Sequence, residues 1–291
     1  MGSQLIAQTC VNVLMLASMY IMVAMGFALI LSVLDVLNFS HAAIYTVGGY
    51  ICYQLTVVVG MNQWLALVAS TISVGAFGLF LEKFCFRPFI TDMNRIIVIT
   101  LALIVILTAG INVTMGSYIK RIPSFVSGVV KVGGVSISGE RLATFIIGML
   151  LLTGIMIIIK KTRVGLQMLA IAQDMEAAAL QGIRTHRIAA VTTFIGCALA
   201  GVAGSLMGAV LSLSPYMGDL MLVKAIEIVI LGGIGSIGGV LVGGLVLGAI
   251  DAVLPLYVSG YATELVGLGI IIVFLLFRPQ GLFGRDKVRL V

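Results

Sequence analysis

Lys224 and Glu227 stand three residues apart in an apolar run, and Asp251 lies alone in the next, shortly before Pro255. A charged side chain at the centre of a membrane helix costs roughly 2.5–3.5 kcal/mol on insertion scales, so each demands a partner or a wet cavity. The i, i+3 spacing puts Lys224 and Glu227 on one helix face, where they either neutralise each other near the outer interface or contact a substrate. No partner for Asp251 is visible in the sequence. Asn38, Ser40 and His41 form a second polar cluster, between the first and second apolar runs. One use for it is a helix cap, with Asn38 or Ser40 at the N-cap. Thr108 and Asn112 share a face of a further run and suit interhelical hydrogen bonding. Other chemistries find no residues. There is no Gly-Lys dipeptide for a P-loop, and neither H-E-x-x-H nor G-x-S-x-G occurs. The two histidines, His41 and His186, lie on different segments. No catalytic residue, metal site or cofactor is expected.

The elements that must position these residues are membrane helices. The chain has 291 residues, of which 61% are hydrophobic and 10% charged, and its mean hydropathy is +1.23. That is more apolar surface than a soluble domain can hide, so an all-α, polytopic integral membrane protein is expected, forming a single transmembrane domain. Apolar runs cover about 9–33, 42–60, 64–82, 96–115, 141–160, 188–213, 238–257 and 261–278, with a shorter one near 221–235. The count is eight or nine spans, the short segment either crossing or folding back. No secretory signal peptide is expected, because the first Lys or Arg is Lys83. Cys10, Cys52, Cys85 and Cys197 show no paired spacing and read as small apolar fillers.

Basic residues set the topology. Lys83, Arg87 and Arg95 share one connection; Lys160, Lys161, Arg163, Arg184 and Arg187 share another; Arg278, Arg285, Lys287 and Arg289 sit in the tail. Placing all three groups in the cytoplasm satisfies the positive-inside bias and puts the C-terminus inside. The N-terminus is then outside if 221–235 crosses, and inside if it does not. An ordered external loop at about 116–140 carries Lys120, Arg121 and Lys131. No internal repeat stands out. The net charge of +6 comes from these flanking residues and is no sign of nucleic-acid binding.

A polar island at about 160–187 interrupts the apolar pattern, KKTRVGLQMLAIAQDMEAAALQGIRTHR. Asp174 is a good N-cap, Glu176 complements the helix dipole in the first turn, Ala177, Ala178 and Ala179 favour helix, and Gly182 suits a left-handed C-terminal cap. A helix of about 10 Å is too short to stand alone in water and needs support, either from its own flanking helices or from a docked partner. The stretch Gly232-Gly233-Ile234-Gly235-Ser236-Ile237-Gly238-Gly239 holds a formal G-x-G-x-x-G, but lacks the strand and acidic residue of a dinucleotide site. It is expected to join two spans by close backbone contact, making Gly232, Gly233, Gly235 and Gly238 structural. Gly204-x-x-x-Gly208, Gly239-x-x-x-Gly243 and Gly244-x-x-x-Gly248 suit tight helix crossing.

Glu176-Ala177-Ala178 followed by Gly182 resembles the EAA-x-x-x-Gly loop of ABC-importer permeases; the later Leu-Pro of the fuller pattern is absent. Four further stretches resemble the LivH-type branched-chain amino-acid permeases, in that family's order. They are Leu37-Asn38-Phe39-Ser40-His41 running to Gly48-Gly49-Tyr50, Phe86-Arg87-Pro88, Leu231 to Ser236, and Phe277-Arg278-Pro279-Gln280-Gly281-Leu282-Phe283-Gly284. The resemblance implies a multi-pass permease subunit in a bacterial inner membrane, importing branched-chain or other small hydrophobic amino acids; urea, short amides or aromatic acids stay open as cargo. It implies a second related permease, two ATPase subunits and an external substrate-binding protein as partners. By the same resemblance Asp174, Glu176, Ala177, Ala178 and Gly182 would couple to the ATPases, and Asn38, Ser40, His41, Asn112, Glu227 and Asp251 are candidates for the translocation path. A stand-alone secondary transporter would need more ionisable groups at membrane depth than Glu227 and Asp251.

Overall fold

In lipid every backbone N–H and C=O must be satisfied inside its own segment, which turns each apolar run into a helix. The computed structural model describes residues 2–90, 92–132, 135–258 and 261–284. Its helices are α1 (Gly2–Leu34), α2 (His41–Tyr53), α3 (Gln63–Leu81), α4 (Met93–Met115), α5 (Gly139–Lys161), α6 (Arg163–Gln173), α7 (Met175–Leu180), α8 (Thr185–Val210), α9 (Met217–Gly232), α10 (Ile237–Val253) and α11 (Tyr261–Phe277). A π-helical turn, Gln54–Val58, prolongs α2, and turns at Glu82–Phe86 and Arg87–Phe89 prolong α3.

Among the described residues, six helical stretches are long and apolar enough to cross a membrane: Gln4–Leu34, Gln63–Phe89, Met93–Met115, Gly139–Lys161, Thr185–Val210 and Ile237–Leu256. The remaining three apolar runs became the shorter α2 with its π turn, α9 and α11. The 16 residues of α9 rise only about 24 Å, less than the roughly 30 Å hydrocarbon core. Among the tail cations, Arg285, Lys287 and Arg289 lie outside the described residues.

The expected all-α class holds, and one loop adds a short stretch of strand. The loop at 116–140 holds an antiparallel hairpin, β1 (Val129–Val132) with β2 (Val135–Ser138), in the register Val129↔Ser138 and Val132↔Val135. Val129, Val130, Val135 and Ile137 are β-branched and favour extended backbone over helix. A further bridge pairs Lys120 with Leu213, fastening this loop to the segment between α8 and α9.

Helix α1 is apolar all round and accordingly buried, from Met15 through Leu34 almost without interruption. It packs on α8, α9, α10 and α5, while α8 packs on α1, α2 and α3, and α2 touches α9. The two triplets α1–α2–α3 and α8–α9–α10 thus trade their third helices: α10 lies on α1, and α3 lies on α8. No repeat is legible in the sequence, yet the packing order is reciprocal.

Small residues set the crossings. A Cβ at Gly26 would stand 2.5 Å from the Gly196 carbonyl oxygen, and one at Gly196 would stand 2.8 Å from that of Gly26, so α1 and α8 touch backbone to backbone. Gly248 on α10 lies so close to Ala17 of α1 that a Cβ there would meet it at 2.8 Å, and Gly204 on α8 abuts the Tyr45 carbonyl of α2. Helices α4, α5 and α11 ring this core and leave apolar side chains such as Val105, Leu150 and Leu265 outward.

Candidate functional site

The polar island folds into two short helices. Thr162 caps α6 by accepting from the Gly165 N–H at 3.1 Å. Asp174 then caps α7: its Oδ1 accepts from the N–H groups of Glu176 and Ala177, both at 2.9 Å. Gly182 closes α7 at φ +82°, with its own N–H donating to Ala179 O at 3.0 Å and the Ile183 N–H donating to Ala178 O at 3.1 Å. Ala178 is buried, Met175 and Ile183 are half-buried, and Glu176, Ala177, Ala179 and Leu180 face outward. The support that so short a helix requires comes from within the chain, because α7 packs against α6 and α8. Sequence reasoning missed α6 and the exposure of Leu180. The periodic burial of Gly165, Met168 and Ile171 at i, i+3, i+6 was the available signal for α6.

Inside the helical body Lys224, Glu227 and Asp251 come together, joined by a residue that sequence reasoning did not find. Lys224 Nζ donates to Asp251 Oδ1 at 3.2 Å, is ion-paired with Oδ2 at 2.9 Å, and stands 3.6 Å from Glu227 Oε2. Tyr20 Oη on α1 donates to Asp251 Oδ2 at 2.9 Å. One tyrosine amid the apolar residues of α1 was the only clue to it. The network ties α1, α9 and α10. Lys224 stands midway along α9 (Met217–Gly232). Glu227 Oε2 is buried and makes no hydrogen bond among the described residues.

The Asn38–Ser40–His41 cluster is fully enclosed. Ser40 occupies the N-cap of α2, but its side chain caps no backbone N–H; the hydroxyl donates to Asn38 Oδ1 instead. His41 Nε2 lies 3.2 Å from the Val23 carbonyl of α1, which can only accept, so Nε2 carries the proton. Its ring meets Phe27 edge-on at 5.9 Å. These contacts fasten the start of α2 to the middle of α1. Asn112 instead ties α4 to the segment before α9. Its Nδ2 donates to Tyr216 Oη at 2.9 Å, and Ser117 Oγ donates to its Oδ1 at 2.8 Å.

The glycine-rich stretch forms the turn between α9 and α10, with Ser236 capping α10 through the Gly239 N–H at 3.0 Å. Gly232 and Gly239 touch backbone to backbone, and Gly233, at φ +98°, abuts Gly284. Two expectations change here. Nothing lies within 4 Å of where a Cβ at Gly235 or Gly238 would stand. Close packing therefore explains neither residue; Gly235 is required by its φ of +85°, and nothing in the structure requires glycine at 238. The tail folds back onto this turn, with Leu282 N–H donating to Leu231 O at 2.8 Å and Phe283 N–H to Gly232 O at 3.0 Å. Two motif stretches some fifty residues apart in sequence are thereby one structural unit. A cavity of about 610 Å³ separates this unit from the island, bounded by Ile159, Lys160, Leu169, Gln173, Ser236 and Phe283.

The sequence model of the family described as branched-chain amino acid transport system / permease component matches residues 9–276. The chain belongs to that family. It is 33% identical over 300 residues to the high-affinity branched-chain amino acid transport system permease protein BraD of Pseudomonas aeruginosa, covering 98% of this chain and 97% of that protein. It is 31% identical over 300 residues to LivH of Escherichia coli (strain K12), a permease protein of the same description, with the same coverage. A probable branched-chain amino acid transport permease protein LivH of Methanocaldococcus jannaschii is 27% identical over 294 residues, or 94% of this chain and 91% of that protein. No solved structure matches. This permease is a multi-pass membrane protein.

Proposed function

We propose that this permease is one transmembrane subunit of an ATP-driven importer of branched-chain or other small hydrophobic amino acids. The observation that carries the reading is α7, a six-residue helix capped at both ends and held by α6 and α8 so that Glu176, Ala177, Ala179 and Leu180 face outward. A helix this short gains nothing for the membrane body; its worth lies in what it presents. Two ATPase subunits take it from the cytoplasm, one on this chain and one on a second, related permease, and an external binding protein delivers cargo at the opposite face. All nine apolar segments cross, with the N-terminus outside and the C-terminus inside. ATPase closure displaces α7, and the rigid connection to α6 and α8 carries the displacement to the helical body. Coupling of a few kcal/mol between nucleotide state and gate is the scale on which such linkage works.

Within the body, the short α2 and α9 flank the path, as interrupted helices do in transporters. Asn38, Ser40 and His41 hold the start of α2, Asn112 holds the approach to α9, and Glu227 and Asp251 hold its centre. The test is uptake by proteoliposomes holding both permeases and the ATPases, with binding protein and ATP supplied. ATP-dependent uptake of leucine, isoleucine or valine supports the reading. Uptake of urea, short amides or aromatic acids in their place would keep the importer and replace its cargo, and permease purified without ATPases in mild detergents would refute the assembly.

A further inference from the structure

Lys224 has two carboxylates within ion-pair reach and hydrogen-bonds one. It donates to Asp251 Oδ1 on α10 at 3.2 Å and lies 2.9 Å from Oδ2, while Glu227, one turn further along α9, offers Oε2 at the longer ion-pair distance of 3.6 Å, with no hydrogen bond to that oxygen among the described residues. One ammonium against two carboxylates leaves a surplus negative charge in a largely enclosed site, where a structural ion pair needs only one acid. We propose that Glu227 is an alternate seat for Lys224, and that transfer of the ammonium from Asp251 to Glu227 releases α9 from α10 during transport. The inference rests on the importer reading above.

Three further observations make the release mechanically sound. The hydroxyl of Tyr20 also bonds Asp251, so Asp251 keeps a partner on α1 after Lys224 leaves. Beyond Glu227, α9 runs on to the turn whose Gly233 and Gly235 have φ of +98° and +85°, with open space around Gly235. On its other side that turn borders the cavity of about 610 Å³ shared with α5 and α6, room into which the turn can move when α6 and α7 are displaced. Lys224 and Glu227 lie on the same helix, so their exchange contact survives any rigid movement of α9. The Lys224–Asp251 contact between helices does not.

Glu227→Gln separates this device from a plain structural tie. It removes the surplus charge and the alternate seat while leaving the Lys224–Asp251 pair intact. The permease carrying Glu227→Gln is expected to melt at or above the wild-type temperature in detergent, while ATP-driven leucine uptake in proteoliposomes falls at least tenfold. Glu227→Asp keeps a carboxylate on that face and is expected to retain most of the uptake. Uptake by Glu227→Gln within twofold of wild type overturns the exchange, as does a lowered melting temperature, which marks Glu227 as a structural partner of Lys224. Melting is measured on the permease alone and does not depend on the cargo; failure of the wild type to import leucine counts instead against the importer reading.

Discussion

Gly182→Val isolates the coupling helix from the rest of the protein. Gly182 stands at φ +82° with no atom within 4 Å of where a Cβ would sit, so a new side chain meets no steric obstacle and its whole cost is conformational. An L-residue in the left-handed region loses roughly 1–2 kcal/mol, and a β-branched one lies at the upper end. The folded body does not feel this loss, because α7 buries a single residue, Ala178. The capped form of α7 does, and about 1–2 kcal/mol moves its equilibrium by about 5–30-fold. Hydrogen exchange at Gly182 and Ile183, whose amides donate to Ala179 O and Ala178 O, should accelerate by that factor, while amides of α8 beyond its first turn stay unchanged. Permease-stimulated ATP hydrolysis should fall in parallel. Asn tolerates left-handed backbone, so Gly182→Asn should restore most of both signals. Unchanged exchange in the Val variant would refute the cap. Accelerated exchange with undiminished coupling would refute the role of α7.

Three further perturbations act on separate parts of the molecule. Glu176→Lys reverses the charge at the exposed start of α7 and is expected to abolish stimulation of ATP hydrolysis with insertion and melting intact, read by membrane fractionation and a thermal-shift assay. Lys224→Met leaves two carboxylates in a largely enclosed site without their cation; breaking such a pair costs about 3–5 kcal/mol, and the variant should melt well below wild type. Gly248→Leu drives a side chain into Ala17 of α1, and overpacking of about 1–3 kcal/mol or more should lower the yield of folded protein on size-exclusion chromatography, whereas Gly238→Ala, which meets nothing, should not.

Local chemistry was legible in the sequence because its causes lie within a few residues. The apolar runs became helices, Asp174 and Gly182 bound a short one, and G-x-x-x-G spacings marked where helices cross. Each depends only on hydropathy over one segment, on one side chain reaching an N–H two or three positions away, or on the absence of a Cβ. The tertiary structure decided everything that depends on a neighbour from another segment. The partner of Asp251 is Lys224, 27 residues away, and Tyr20, 231 residues away. Ser40 gives its hydroxyl to Asn38 instead of the helix end, and Gly235 answers to backbone conformation instead of packing. The reciprocal exchange of α3 and α10 left no trace in the residue pattern either. The reason is the solvent: a helix that meets lipid on one side and protein on the other is apolar on both, so periodicity does not mark its inner face. Small residues fix how closely two helices approach; only the folded chain specifies which two helices they are.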